Sequence, residues 1–258
     1  MDTAKPSART AASEASTSAG CTASPARAKI AATSCAGRCA RIACPLHPRC
    51  AFLVAGDDGY TLVDVGRAGA PGVLLDALAD RGGKPGDIRR IVITHAHPDH
   101  VQGAADLRRH SGADILVHAA DRPRLEAGRV PPEGRSGLPG RLLDRLPKLH
   151  WTPVTADGTL TDGDLVDGSG GPRVIHAPGH SPGHIVLWHE PSRTLLTGDA
   201  VFHRGRLDLG HAALAADPGL RAESLAKLPA DVRAVGFAHG APLTGAGAET
   251  FRRFVESR

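Results

Sequence analysis

Apolar residues along this chain fall into short runs set off by turn-forming residues, and each run carries the period of one element. Ala51-Phe52-Leu53-Val54 and Tyr60-Thr61-Leu62-Val63 flank Gly56-Asp57-Asp58-Gly59, which predicts a β-hairpin. From Pro71 to Arg81 the apolar positions 73, 74, 75, 78 and 79 approach helical spacing, and Gly82-Gly83 ends the run. The β-branched triplet Ile91-Val92-Ile93 predicts a buried strand that opens into a loop at Thr94. A helix is expected over Pro98 to His110, and a strand over Asp114 to His118. After residue 150 the runs Trp151–Val154, Leu165–Val166, Arg173–His176, His184–Trp188 and Thr194–Thr197 read as strands of a second sheet. The C-terminal part predicts a helix over Pro218–Leu228, a strand over Val232–Phe237 and a closing helix over Ala246–Glu256.

Two regions break this rhythm. Between residues 119 and 150, Pro123, Pro131, Pro132, Pro139 and Pro147 interrupt all but short helical pieces such as Leu138 to Leu149. This predicts an inserted cap, whose Arg122, Arg124, Arg129, Arg135, Arg141 and Arg145 read as solvated surface. Residues 1–37 form an Ala/Ser/Thr-rich tail that offers too little apolar surface to offset its ordering entropy. The tail has no apolar core of a secretory signal. Its acid-poor, Arg- and Ser-bearing composition fits an organellar leader and equally a non-native start. The folded domain is expected over residues 38–258, in the cytoplasm.

Composition changes the picture in three places. Aromatic residues make up only 3% of the 258 residues, so the core must come from Ala, Val, Leu and Ile. The formal charge of +4 is local: residues 1–50 hold seven basic and two acidic residues, and the remainder holds 24 and 25. A nearly neutral domain gives no support to a nucleic-acid surface, and no apolar run approaches the roughly 20 residues that span a bilayer. All five cysteines (Cys21, Cys35, Cys39, Cys44, Cys50) fall in the first fifty residues. Their gaps lack zinc-ribbon pairs, so free thiols in a reducing compartment are expected.

The chemistry concentrates in Thr94-His95-Ala96-His97-Pro98-Asp99-His100, where four metal-ligand types fall within six residues. Imidazole and carboxylate together suit divalent zinc, iron or manganese. Further ligand types follow at His180, in a turn-rich segment, and at Asp199 and His239, each at the end of an apolar run. Seven ligands suffice for two metals that share one bridging carboxylate.

From about residue 50 onward, this pattern resembles the metallo-β-lactamase-fold hydrolase superfamily, and in particular its glyoxalase II-like branch. The resemblance implies a four-layer αββα sandwich in the α/β class, with metal loops along one edge of the sheets. It implies one metal on His95, His97 and His180, a second on Asp99, His100 and His239, and Asp199 as the bridge. Asp64, in Leu62-Val63-Asp64-Val65-Gly66, would orient a ligand histidine. Two divalent ions, zinc first, would activate hydroxide for attack on a small thioester, ester or lactone. The alternative within the fold is a persulfide dioxygenase-like oxidoreductase with one iron on His95, His180 and Asp199.

Departures from relatives narrow the field. Asp199 stands where well-known β-lactam-cleaving members carry Cys or Ser, and His97 stands where oxygen-reducing diiron members carry Glu. Phe202 occupies the place of the lactonases' Tyr, and Tyr60 is the chain's single tyrosine. The chain ends 19 residues after His239, short of the helical segment through which glyoxalase II contacts glutathione. His203, Arg204 and Arg206 are the expected contacts for an anionic small-molecule substrate. His184 is expected to pack or hydrogen-bond behind His180, while His118 and His47 read as structural. Oligomeric state is not legible.

Because every candidate ligand lies beyond residue 90, a chain beginning near Arg38 is expected to keep full metal content and turnover. A large loss of either, measured by elemental analysis and rate, would place the tail inside the functional domain.

Overall fold

The computed structural model describes residues 39–43, 50–166 and 171–258. The predicted tail and the side chains of all five cysteines lie outside the described residues. In chain order the strands are β1 (Cys39–Ala43), β2 (Cys50–Ala55), β3 (Tyr60–Val63), β4 (Ile88–Ile93), β5 (Asp114–His118), β6 (Gly158–Leu160), β7 (Arg173–His176), β8 (Ile185–His189), β9 (Thr194–Leu196), β10 (Phe202–His203), β11 (Leu207–Asp208), β12 (Ala234–Gly236) and β13 (Leu243–Thr244). The helices are α1 (Ala70–Ala79), α2 (Pro98–Val101), α3 (Ala104–Ser111), α4 (Arg122–Ala127), α5 (Leu138–Leu143), α6 (Leu220–Ala226) and α7 (Ala246–Glu256). One sheet runs β1-β2-β3-β4-β5-β6, a second runs β13-β12-β9-β8-β7, and β10-β11 form a small ribbon.

Side-chain alternation turns these two sheets into four layers. In β2, Ala51 and Leu53 face one way and pack with Leu74, Ala77, Leu78 and Leu107 of α1 and α3. Phe52 and Val54 face the other way and meet Ile185, Leu187 and Leu196 of the second sheet. In β4, Ile91 and Ile93 point to the helices while Val92 joins the core between the sheets. The second sheet repeats the scheme, with Val186, Trp188, Leu195 and Val235 packed against Leu225 and Phe251 of α6 and α7. The fold is therefore the αββα sandwich, with α1 and α3 on one outside and α6 and α7 on the other.

β3, β4, β5 and β6 are mutually parallel, so their C-terminal ends share one edge. The loops after β3, β4 and β5 emerge there, and Thr94 O accepts a 2.9 Å hydrogen bond from Ile185 N at the start of β8. That bond ties the loop after β4 to the second sheet.

Several elements differ from expectation. The helix expected over Pro98–His110 is two helices, broken at Gln102-Gly103. A Cβ on Gly103 would lie 2.8 Å from Val65 Cγ1 and 2.9 Å from Pro71 Cγ, so the chain there packs directly on the loop that follows β3. Trp151–Val154 is irregular: Trp151 drops into the first core and donates Nε1–H to Leu125 O at 3.0 Å, and Pro153 cannot donate to a ladder. The strand in that region is instead β6, and it extends the first sheet rather than the second. Leu165 makes only an isolated bridge to Arg173. Two of the cap arginines, Arg124 and Arg135, are buried at 8% and 7% exposure, which overturns their reading as solvated surface. α1, α6, α7 and the hairpin fall where the sequence places them, whereas the helical piece expected over Leu138–Leu149 ends at Leu143 in α5. Among the described residues no helix is long and apolar enough to cross a membrane.

The later part of the cap, from Leu138 to Leu146, is peripheral to the core, whereas Leu125 and Val130 belong to it. Leu138, Leu142, Leu143 and Leu146 are all exposed, whereas Ile91 is fully buried. Ile91→Ala is therefore expected to cost about 2–5 kcal/mol in chemical unfolding, and Leu142→Ala to stay within about 0.5 kcal/mol of the parent. Equal losses would mean that this part of the cap also belongs to the cooperative core.

Candidate metal centre

At the shared sheet edge the chain gathers two groups of ligating atoms, one from His95, His97 and His180 and one from Asp99, His100, Asp199 and His239. His95 and His97 follow β4, and Asp99 and His100 occupy the first turn of α2. His180 lies in the turn between β7 and β8, Asp199 just beyond β9, and His239 just beyond β12. Within each group the potential ligand atoms all lie within 4.8 Å of one another.

Asp199 faces both groups. Its Oδ2 lies 3.4 Å from His180 Nε2 and 4.0 Å from His95 Nε2. Its Oδ1 lies 3.3 Å from His239 Nε2 and 3.4 Å from His100 Nε2. On the far side, Asp99 Oδ2 is 3.4 Å from His239 Nε2 and 3.8 Å from His100 Nε2. One carboxylate oxygen is thus directed at each group, as a bridging ligand would be.

Asp64 settles which nitrogen of two histidines is free. It takes the αL conformation (φ 59°) at the end of β3, which a short polar side chain tolerates. Its carboxylate accepts from Thr94 N at 2.8 Å and from Thr94 Oγ1 at 2.8 Å. The Thr94 hydroxyl, having donated its hydrogen, can only accept from His95 Nδ1, 3.1 Å away. Asp64 Oδ2 also accepts from His100 Nδ1 at 2.8 Å. Both rings therefore carry a proton on Nδ1 and turn Nε2 toward the site.

Among the described residues several of these inward-facing atoms lack a hydrogen bond. His95 Nε2, His100 Nε2 and Asp199 Oδ1 are buried and make no well-formed hydrogen bond. His97 Nδ1 and His180 Nε2 face each other at 2.9 Å, a pair that one proton satisfies once and one cation satisfies twice. A buried polar atom without a partner costs about 1–3 kcal/mol, and here several converge. Divalent cations suit this donor set of nitrogen and carboxylate oxygen.

Electrostatics separates the two groups. Burial pushes His95 and His97 well below the usual imidazole range, and Arg135 adds to the effect at His97. Burial takes His180 down to about 3 despite the pull of Asp199. These three rings are neutral donors. At His100 burial acts the same way but is outweighed by Asp64, Asp199 and Asp99, which hold its pKa well above the usual value. His239 is likewise raised, because Asp199 and Asp99 overcome its burial. The second group thus carries enough negative charge to hold protons where a cation would displace them.

Surrounding residues fix this arrangement. His184 Nε2 accepts from Asp199 N at 2.9 Å, so His184 supports the backbone of the residue that stands between the two groups. A Cβ on Gly198 would lie 2.8 Å from that same nitrogen. His118 is turned away and stacks on His176, with ring centroids 4.0 Å apart. Asp121, a fully buried acid three residues beyond β5, was not among the expected site residues. Arg135, expected at the solvated surface, instead lies beside the site, where its Nε donates to Asp144 Oδ2 at 2.7 Å and its Nη1 is bonded to Leu214 O. Asp121 stands after its strand as Asp64 stands after β3, and that shared placement was the available signal.

A cavity of about 540 Å³ opens onto the ligand atoms of His97, Asp99, His180, Asp199 and His239. Leu143, Leu149, Leu214 and Phe202 form apolar walls, with Arg67, Arg135 and Arg204 as its cations. Of the three expected substrate contacts, only Arg204 lines this cavity. His203 donates Nδ1–H to Ala241 O at 2.7 Å, and Arg206 is exposed outside the lining. Both depart from expectation because His203 is recruited to hold the loop beyond His239, and the ribbon turn carries Arg206 past the rim.

Known proteins are similar to this chain to differing extents. The chain is 26% identical to the probable metallo-hydrolase YflN of Bacillus subtilis over 72% of its own length and 77% of that protein's. It is 35% identical to a hydroxyacylglutathione hydrolase of Cereibacter sphaeroides over 60% of its own length, and the match spans 49% of that relative. The chain thus spans about half the length of the hydroxyacylglutathione hydrolases it matches. Its fold is that of the metallo-β-lactamase MIM-1 from Novosphingobium pentaromativorans, with TM-score 0.65, 24% identity, and 87% and 86% of the two chains covered. The subclass B3 metallo-β-lactamase BJP-1 of Bradyrhizobium japonicum superposes with TM-score 0.62 at 22% identity, covering 81% and 85%. The sequence pattern of the Metallo-beta-lactamase superfamily matches residues 46–237, and the chain belongs to that superfamily as a metallo-hydrolase.

Proposed function

We propose that this protein hydrolyses a small thioester or ester with two divalent cations, zinc first among them, held by the seven residues at the sheet edge. The observation that carries the reading is Asp199, whose two carboxylate oxygens are directed at different ligand groups. A site for one ion would need only one of them. Similarity to hydroxyacylglutathione hydrolases supports the substrate class, since an acylglutathione is a thioester. When bound, such a pair of cations supplies Lewis acidity that acidifies water and polarises an acyl oxygen.

The chain's own residues supply the rest. His95, His97 and His180 would hold one ion; Asp99, His100 and His239 would hold the other, with Asp199 between them. Asp64 keeps the His95 and His100 lone pairs aimed inward through Thr94 and its own carboxylate. The apolar walls at Leu143, Leu149, Leu214 and Phe202 exclude water from the acyl group, and Arg204 at the rim suits an anionic substrate. Ser181 is not a candidate nucleophile. It is fully buried and its hydroxyl is committed to Asp121 at 2.7 Å.

Asp199→Ala is expected to lower retention of both ions, because it removes the shared ligand and leaves two cations facing each other. Elemental analysis after desalting checks this, and one tightly held iron with oxygen uptake on a persulfide would support the dioxygenase reading instead.

His97→Ala and His180→Ala, which each remove a ligand, are expected to lower thioester turnover by more than the about 10–100-fold that loss of a supporting partner costs. Ser181→Ala should keep most of it. Trapping an acyl-enzyme by mass spectrometry with a slow ester would identify a protein nucleophile and contradict the proposal.

A further inference from the structure

We infer that Asp121 is a positioning residue for the His95–His97–His180 group, acting as a common anchor for the two loops that carry it. The inference rests on the metal-site reading above and extends it to a residue outside the ligand set.

Asp121 immediately precedes α4, where an Asp ordinarily accepts from the helix's first free N–H groups. Here its side chain makes no such capping bond. Pro123 lacks an N–H, which lowers the local demand for a cap. The carboxylate turns inward instead and is fully buried. Its Oδ2 accepts from Ala96 N at 2.8 Å and from Ser181 Oγ at 2.7 Å, and its Oδ1 accepts from Gly183 N at 2.8 Å. Ala96 separates His95 from His97, and Ser181 directly follows His180. One carboxylate thus binds the backbone between two ligands and the residue beside the third.

The packing supports the same assignment. A Cβ on Gly183 would lie 2.5 Å from Asp121 N and 2.8 Å from Asp121 Cβ, so the His180 turn is pressed directly onto Asp121. Loop-to-loop hydrogen bonds of this kind set the separation between His97 Nδ1 and His180 Nε2. No contact of Asp121 reaches Asp99, His100 or His239 among the bonds it makes, and His100 is held by Asp64. The consequence is selective: loss of the anchor should weaken one ion and spare the other. Because Asp121 also begins the cap, the cap's first helix is joined to the metal loops through the same side chain.

Asp121→Asn keeps the shape but places an amide donor against groups that already donate. Isothermal titration of metal-free protein with Zn²⁺ should show two binding events in the parent. In Asp121→Asn, one event is expected to weaken at least about 10-fold while the other keeps its affinity. Ser181→Ala, which removes a single bond, should weaken the same event about 3-fold and serves if the Asn variant does not fold. Paired His97→Ala and His239→Ala titrations identify which event belongs to which group. Unchanged affinities in both variants, or equal weakening of both events, would overturn the role of Asp121. A parent that binds one ion would instead refute the two-ion reading, and Asp121 would then stand or fall on whether that ion's affinity drops in the two variants.

Discussion

Polar atoms buried without partners are the constraint around which this molecule is built. Among the described residues His95 Nε2, His100 Nε2 and Asp199 Oδ1 sit buried at the sheet edge without a well-formed hydrogen bond. Each would be unfavourable in an ordinary core. Their neighbours do not relieve them; they enforce the arrangement. Asp64 and Thr94 occupy the opposite nitrogens of two rings, His184 pins the backbone of Asp199, and Asp121 draws the loops of His95, His97 and His180 together. Donors aimed at common points, backed by a ring of fixed hydrogen bonds, are what divalent cations require.

The sandwich makes this arrangement affordable in structural terms because its strands end together. Four parallel strands of the first sheet deliver the loops after β3, β4 and β5 to one edge, and those loops carry Asp64, the His95–His100 stretch and Asp121. The second sheet brings His180, Asp199 and His239 to the same edge from the other side, joined through the Thr94–Ile185 hydrogen bond. Glycines mark the places of closest approach. Gly240, next to His239, has φ 117°, and a Cβ there would overlap His203 O at 1.7 Å.

Much of this was legible in the sequence because the signals were local. The continuous apolar runs Ala51–Val54 and Ile91–Ile93 read as buried strands, and the packing explains why both of their faces are apolar. The ligand stretch after β4 could be read directly, since its residues are adjacent in the chain. Long-range commitments were not legible. The break at Gly103 comes from contact with Val65 and Pro71, some thirty residues earlier. Trp151 left its expected strand because its indole N–H found Leu125 O across the cap. Arg135 became buried by pairing with Asp144 and Leu214, whereas Arg204 remained at the rim and His203 turned to Ala241. In each case a partner distant in sequence decided the outcome, and no period or spacing carries that information.

The most direct measurement is anomalous diffraction at the zinc edge from crystals of zinc-loaded protein. The expected result is two peaks, one among His95, His97 and His180 and one among Asp99, His100 and His239, with an oxygen of Asp199 toward each. A single peak coordinated by His95, His180 and Asp199, with the second group protonated and empty, would contradict the two-ion centre.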